Sequence, residues 1–75
     1  MNHPKTDSIL AVLNAHGRVV LRMNRASGFT QITITKSKGR YIIGTVPGAR
    51  LVQSSLAGVK LTLESNRMFI EAWKA

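Results

Sequence analysis

The sequence has no cysteine, only three acidic residues and only four aromatic ones: two phenylalanines, one tyrosine and one tryptophan. The absence of cysteine excludes disulfides and cysteine-based zinc sites. No run of about 18 apolar residues is present, so no membrane-spanning helix is predicted. The apolar run 9–13 is too short for a signal peptide. We therefore expect a cytoplasmic protein with a single small domain over residues 1–75, in which residues 1–5 form a flexible arm.

The scarcity of acids leaves a strongly basic chain. Eleven Lys and Arg residues stand against three Asp and Glu residues, for a net charge of +8, and no acid lies between Asp7 and Glu64. Like charges without partners repel one another and lower the stability of the fold unless an anionic partner neutralises them. Small basic domains bind nucleic acid in this way. The predicted nucleic-acid-binding residues are Arg18, Arg22, Arg25, Lys36, Lys38, Arg40 and Arg50.

The first third of the chain predicts a helix followed by a strand. Thr6 or Asp7 suits the N-cap, and the apolar residues that follow are spaced for one helical face, so we predict a helix over 7–16. Gly17 suits the position after its last turn. Residues 18–24 alternate, with Val19, Leu21 and Met23 on one face, which is typical of a half-buried strand.

Residues 29–46 predict a β-hairpin whose turn lies between Lys36 and Arg40. Its register has two solutions. A two-residue Lys38-Gly39 turn places Ile34 opposite Ile43, and a three-residue loop places Ile34 opposite Ile42. We favour the three-residue loop, with Gly39 in the left-handed conformation.

The last third predicts a short helix and a second hairpin. Residues 49–56 suit a helix, with Gly58 beyond its end. Residues 59–73 alternate around a Ser65-Asn66 turn, which would pair Glu64 with Arg67 and Lys60 with Glu71 across the strands.

These elements predict an α+β domain of order α-β-β-β-α-β-β. We expect a mainly antiparallel sheet, or a small partly open barrel, with the N-terminal helix packed on it. The order of the first five elements resembles that of double-stranded-RNA-binding domains, a resemblance in element order alone. Five short strands with unpaired edges make a homodimer a further hypothesis.

The residue types argue against an enzyme. Asp7 is explained as a helix cap, the two Glu as cross-strand partners, and His16 as a cation at a helix C-terminus. His3 and His16 stand apart from any cysteine or carboxylate cluster, so we predict no metal site and no cofactor.

The hypothesis we favour is a small basic nucleic-acid-binding protein with a regulatory role, in which the hairpin tip makes the first contact. The few aromatic residues favour duplex or backbone binding over base stacking, without separating DNA from RNA. One alternative is an interaction protein of a phage or mobile element that modulates a host protein through an acidic surface. Another is a small ribonuclease toxin that uses a histidine.

Overall fold

Two α-helices and five β-strands run along the chain in a computed structural model that describes residues 3–24, 26, 28–48 and 51–75. The elements are α1 (Pro4–His16), β1 (Arg18–Met23), β2 (Gln31–Ser37), β3 (Arg40–Val46), β4 (Leu51–Ser54), α2 (Leu56–Asn66) and β5 (Ile70–Lys74). A short 3-10 helix, Arg67–Phe69, joins α2 to β5. None of the helices in the described ranges is long and apolar enough to cross a membrane.

The five strands form one sheet of order β4-β3-β2-β1-β5, with every neighbouring pair antiparallel. Both helices pack on the same face, α1 against β1 and β2 and α2 against β3 and β4. The other face is left open to solvent. The predicted fold class is therefore confirmed: a small α+β domain with an antiparallel sheet and the N-terminal helix packed on it.

The buried core lies between the sheet and the helices. Val19, Leu21 and Met23 point into it from β1, as predicted, and are at most 5% exposed. Ile34 faces Ile43 on the neighbouring strand and is fully buried. Because successive side chains alternate between faces, the intervening residues of these strands lie on the open face.

Helix α1 begins earlier than the sequence predicts. His3 is its N-cap, and the His3 Nδ1 atom accepts a hydrogen bond from the Lys5 backbone N–H at 3.1 Å. Pro4 occupies the first helical position, where its fixed φ is already helical and its missing N–H costs nothing. The prediction of a loose arm is therefore wrong for residues 3–5, while Met1 and Asn2 lie outside the described residues. At the other end, Gly17 has φ 72° and its N–H donates to Leu13 O, as expected.

The β2–β3 hairpin has the two-residue turn, so the three-residue loop we favoured is wrong. Ser37 pairs with Arg40, and Ile34 with Ile43. Lys38 and Gly39 both have positive φ, 48° and 78°. This is the turn whose twist matches that of the flanking strands. The expected left-handed conformation of Gly39 is confirmed.

Residues 51–66 differ most from the prediction. The helix predicted over 49–56 is wrong, since residues 51–54 form β4; residues 49 and 50 lie outside the described part. The hairpin predicted over 59–73 is also wrong, because residues 56–66 form α2. In this segment Val59 and Leu63 are fully buried, whereas Leu61 is 68% exposed. Burial thus follows the spacing of a helix and not the alternation of a strand.

The start of α2 explains why this segment forms a helix and not the predicted strand. Ser55 is its N-cap, and the Ser55 side-chain oxygen accepts from the Gly58 backbone N–H at 3.2 Å. A Cβ atom at Gly58 would overlap Ser54 Oγ, so the glycine lets β4 turn tightly into the helix. The chain therefore enters its second helix only after a fourth strand, and the resemblance in order to double-stranded-RNA-binding domains ends at β3.

One of the two predicted charge pairs forms, although not across strands, and the other is replaced. Glu64 and Arg67 do form an ion pair at 3.1 Å, but as neighbours at the end of α2. The predicted pair of Lys60 with Glu71 is wrong, since Glu71 lies 3.6 Å from Arg22 of β1. Strand β5 pairs with β1 through a bulge between Ile70 and Ala72, which carries Glu71.

Candidate nucleic-acid interface

One end of the sheet carries four basic residues, which we call the hairpin-end cluster: Arg18, Lys36, Lys38 and Arg40. Arg18 is the first residue of β1 and pairs with Thr35 of β2. The Lys36 backbone N–H donates to Gly17 O at 2.8 Å, which holds the start of β1 against the hairpin. Lys38 occupies the turn itself and Arg40 begins β3, so β1 and the β2–β3 hairpin together fix the positions of the four cations.

The spacing of the cluster follows from the sheet register. Arg18 and Arg40 both lie on the open face, two strands apart and offset by two residues. With about 4.8 Å between strands and about 3.4 Å per residue, their Cα atoms are about 12 Å apart. That separation is close to the width of about 12 Å of the major groove of B-DNA, across which phosphates of the two strands face each other.

The cluster is not neutralised within the molecule. All four side chains are exposed. The two ion pairs found in the described residues, Arg22 with Glu71 and Arg67 with Glu64, involve none of them. Arg40 makes one weak contact, from its Nη1 atom to Gln53 Oε1 at 3.4 Å. Four exposed charges at one end of the sheet, three on the open face or in the turn and that of Lys36 on the opposite face, therefore remain available to an external anion.

The three acids of the chain lie toward the opposite end of the molecule. Glu64 is in the last turn of α2 and accepts from the His3 backbone N–H at 3.1 Å, next to the start of α1. Asp7 is in the first turn of α1. Glu71 contacts Arg22 near the end of β1. The fold thus separates the charges into a basic end and an end that holds every acid.

The acid end has one perturbed group. The hydrogen bond from the His3 backbone N–H and the Arg67 guanidinium at 3.1 Å both favour the ionised carboxylate, and they lower the pKa of Glu64 below its ordinary value of 4.5. Glu64 therefore remains charged at neutral pH and serves to join the two helix ends. It takes no part in the basic end.

Polar side chains extend the basic surface along β2. Gln31, Thr33, Thr35 and Ser37 alternate onto the open face beside Arg18. Gln31 Nε2 donates to Thr33 Oγ1 at 3.3 Å, and the amide keeps a second N–H for a partner. Hydroxyl and amide groups of this kind contact phosphate oxygens in protein–DNA complexes.

The aromatic residues do not form a stacking surface for bases. Tyr41 belongs to the buried core, and Phe29, Phe69 and Trp73 are partly buried and pack against it. Binding of single strands through base stacking needs aromatic rings presented on the surface. The arrangement therefore favours contacts with a backbone, as the sequence also indicates.

Of the seven predicted site residues, the fold brings four together. These are the members of the hairpin-end cluster. Arg22 lies on the same open face but four residues further along β1, where Glu71 pairs with it. Arg25 and Arg50 lie outside the described residues.

Sequence reasoning missed two features of this end. Lys74 of β5 pairs with Val20 and so extends the open face by one more cation. The N-terminus of α2 faces the hairpin tip across a groove lined by both. A serine followed by helical spacing of Leu56, Val59 and Leu63 was the signal that would have revealed this helix.

No group of three or more metal-binding side chains occurs in the described ranges. Comparison with known proteins gives no guide to function, because no protein-family model, no curated protein and no solved structure matches the chain.

Proposed function

We propose that this protein binds duplex nucleic acid through its phosphate backbone, with the hairpin-end cluster as the main contact. The observation that carries the proposal is the collection, at one end of the sheet and away from every acid, of four exposed cations that have no ion-pair partner among the described residues. Each phosphate that a cation neutralises releases a condensed counterion, which is the main source of affinity for binding without sequence readout.

The shape of the hairpin favours backbone contact over insertion into a groove. Strand β1 pairs with β2 as far as Thr35, and β4 pairs with β3 as far as Tyr41. Only two residues of β2 and one of β3 extend beyond these neighbours, which is at most about 7 Å of strand. The major groove is about 8.5 Å deep and admits a longer ribbon, so this tip reaches phosphates more readily than base edges.

A nucleic-acid-binding role agrees with the cytoplasmic location expected from the sequence. The contacts proposed here are to the backbone, so they apply to DNA and RNA duplexes alike. The role requires no catalytic group, and we propose a binding protein and not an enzyme.

Fluorescence anisotropy with a generic labelled DNA duplex, measured over a range of salt concentrations, tests the proposal. Affinity should fall steeply with salt, and the double variant Arg18→Ala/Lys38→Ala should lower the slope of log K against log salt by about 2, at about 0.9 per contact. The matched control is Lys60→Ala/Arg67→Ala, which removes the same charge from α2 and the 3-10 helix that follows it.

Two results would overturn the proposal. One is the absence of binding at low salt. The other is an equal loss of slope in both double variants, since this would mean that net charge alone matters and the cluster does not. Binding of an acidic protein in place of duplex would support the interaction-protein alternative, for which a pull-down is the direct assay.

A further inference from the structure

A groove lies between the hairpin tip and the start of α2. Its volume is about 720 Å³, and it is lined by Lys36, Gly39, Arg40, Tyr41, Gln53, Ser54, Ser55 and Leu56. Two of these residues are cations and none is an acid. Ligand pockets for small molecules commonly measure about 300–1,000 Å³, so the groove is large enough for a ligand the size of a nucleotide. We call it the hairpin groove.

The N-terminus of α2 supplies backbone donors to this groove. The N–H of Gly58 is satisfied by Ser55 Oγ, and that of Val59 by Ser55 O. The N–H groups of Leu56 and Ala57 are then the first-turn donors without an intrahelical partner. The first turn of α2 contains no acid, so the positive end of its dipole is also uncompensated.

Tyr41 brings an unpaired hydroxyl on a mostly buried side chain to the groove. The residue is only 7% exposed and lines the groove, and its hydroxyl forms no hydrogen bond in the described residues. Within the described ranges, Thr6 Oγ1 is the only fully enclosed side-chain oxygen that has no hydrogen-bond partner. The unpaired Tyr41 hydroxyl is therefore not fully enclosed and meets solvent, and the groove is the solvent space that this side chain lines.

Two cations complete the donor set. Lys36 pairs with Tyr41 across the strands, so its side chain leaves the sheet on the same face as the tyrosine, and it forms no ion pair within the described residues. Among those residues, the Arg40 side chain makes the 3.4 Å contact to Gln53. An ammonium, a guanidinium, a phenol and free backbone N–H groups all donate hydrogen bonds, and a phosphate oxygen accepts them.

From this donor set we infer that the hairpin groove binds a phosphate monoester. The doubly charged group would lie at the N-terminus of α2, beside Lys36 and the Tyr41 hydroxyl on the helix-covered face, with Arg40 at the rim of the groove. The remaining volume lies beside Leu56, which is 43% exposed and offers an apolar wall to the rest of the ligand. The site shares Lys36 and Arg40 with the hairpin-end cluster, whereas Arg18 and Lys38 of that cluster do not line the groove.

NMR titration of the full chain with inorganic phosphate tests the inference without any nucleic acid. The backbone amides of Leu56 and Ala57 should shift on binding. Tyr41→Phe keeps the buried ring and should weaken phosphate binding about tenfold, as expected for one hydrogen bond to a charged group. Lys36→Gln should weaken it by at least as much, and Lys60→Gln, which removes a charge elsewhere on α2, should not.

Phosphate that leaves the two amides unshifted would overturn the inference, as would a loss in Lys60→Gln equal to that in Lys36→Gln. Both outcomes are distinct from a failure of the duplex proposal, which is measured with unphosphorylated duplex ends. Two further arms identify the source of the phosphate. Tighter binding of a duplex with 5′-phosphate ends than of the same duplex with 5′-hydroxyl ends indicates a strand end. Equal binding of both, with a free 5′-mononucleotide bound in the groove, indicates a small-molecule ligand.

Discussion

Lys38 supplies a positive charge to the hairpin tip but is an unfavourable residue for the turn that it occupies. The residue sits in the two-residue turn with φ 48°, a left-handed conformation that lysine seldom adopts. Type I′ turns favour asparagine or glycine at this position, followed by glycine, and Gly39 already meets the second requirement. Replacement of Lys38 by asparagine should therefore stabilise the fold while it removes a charge from the hairpin-end cluster.

The size of the gain follows from the backbone. A left-handed residue costs an ordinary side chain about 1–2 kcal/mol, and asparagine is several-fold enriched in this conformation because its short side chain bonds locally. A several-fold preference corresponds to about 0.5–1 kcal/mol. In a domain of 75 residues, that increase in the free energy of unfolding raises the Tm by about 2–8 °C.

Urea and thermal denaturation of Lys38→Asn and Lys38→Gln measure this gain. Glutamine is the matched control, because it removes the same charge and so relieves the same repulsion without any preference for the left-handed conformation. Both variants should lose affinity for duplex equally, and only asparagine should gain the backbone contribution. Equal stability of the two variants would refute the reasoning, because repulsion among the cations would then account for the whole change.

Two further predictions concern α2. Because the folded-state pKa of Glu64 is lowered, its bonds to His3 and Arg67 stabilise the protein at neutral pH, and this contribution is lost as the pH falls through and below 4.5. The free energy of unfolding should therefore be higher in the wild type than in Glu64→Gln at pH 7, and the difference should shrink as the pH falls below 4.5. A difference that stays constant with pH would contradict the assignment. Alanine in place of glycine inside a helix usually raises the free energy of unfolding by up to about 1 kcal/mol. Gly58→Ala should bring none of this gain, because its Cβ would overlap Ser54 Oγ. In a Ser54→Ala background the same substitution should stabilise the fold by about 0.5–1 kcal/mol. Equal effects of Gly58→Ala in both backgrounds by urea denaturation would show that the overlap is not the limiting factor.

The part of the fold that could be predicted from sequence is the part where local signals agree. In β1, the alternation of Val19, Leu21 and Met23 with polar residues has one interpretation, and the burial confirms it. At the end of α1, Gly17 has the conformation that its position in the pattern indicates. These signals depend on neighbours within one turn or one strand, so they need no knowledge of the tertiary structure.

The segment 56–66 misled the prediction because its pattern fits two periods. Val59, Leu61 and Leu63 alternate as in a strand, while Leu56, Val59 and Leu63 are spaced as in a helix. The two interpretations differ only in whether Leu61 is buried, and it is 68% exposed. Short apolar runs of this kind are decided by the packing of the finished sheet, because β4 closes one edge and the helix must cross to bring β5 to the other.

The same error changes which cations are available to a partner. In the predicted hairpin, Glu71 neutralises Lys60, and Arg22 belongs to the free basic surface. In the structure Glu71 pairs with Arg22 at 3.6 Å, and the charge of Lys60 has no ion-pair partner in the described residues. The number of unpaired cations is thus preserved while their position changes, and the open face loses charge at the end that holds the acids. The basic surface becomes concentrated at the hairpin end, because α2 and β5 carry Glu64 and Glu71 to the opposite end. The tip of the hairpin is therefore the place where an anionic partner should be sought first.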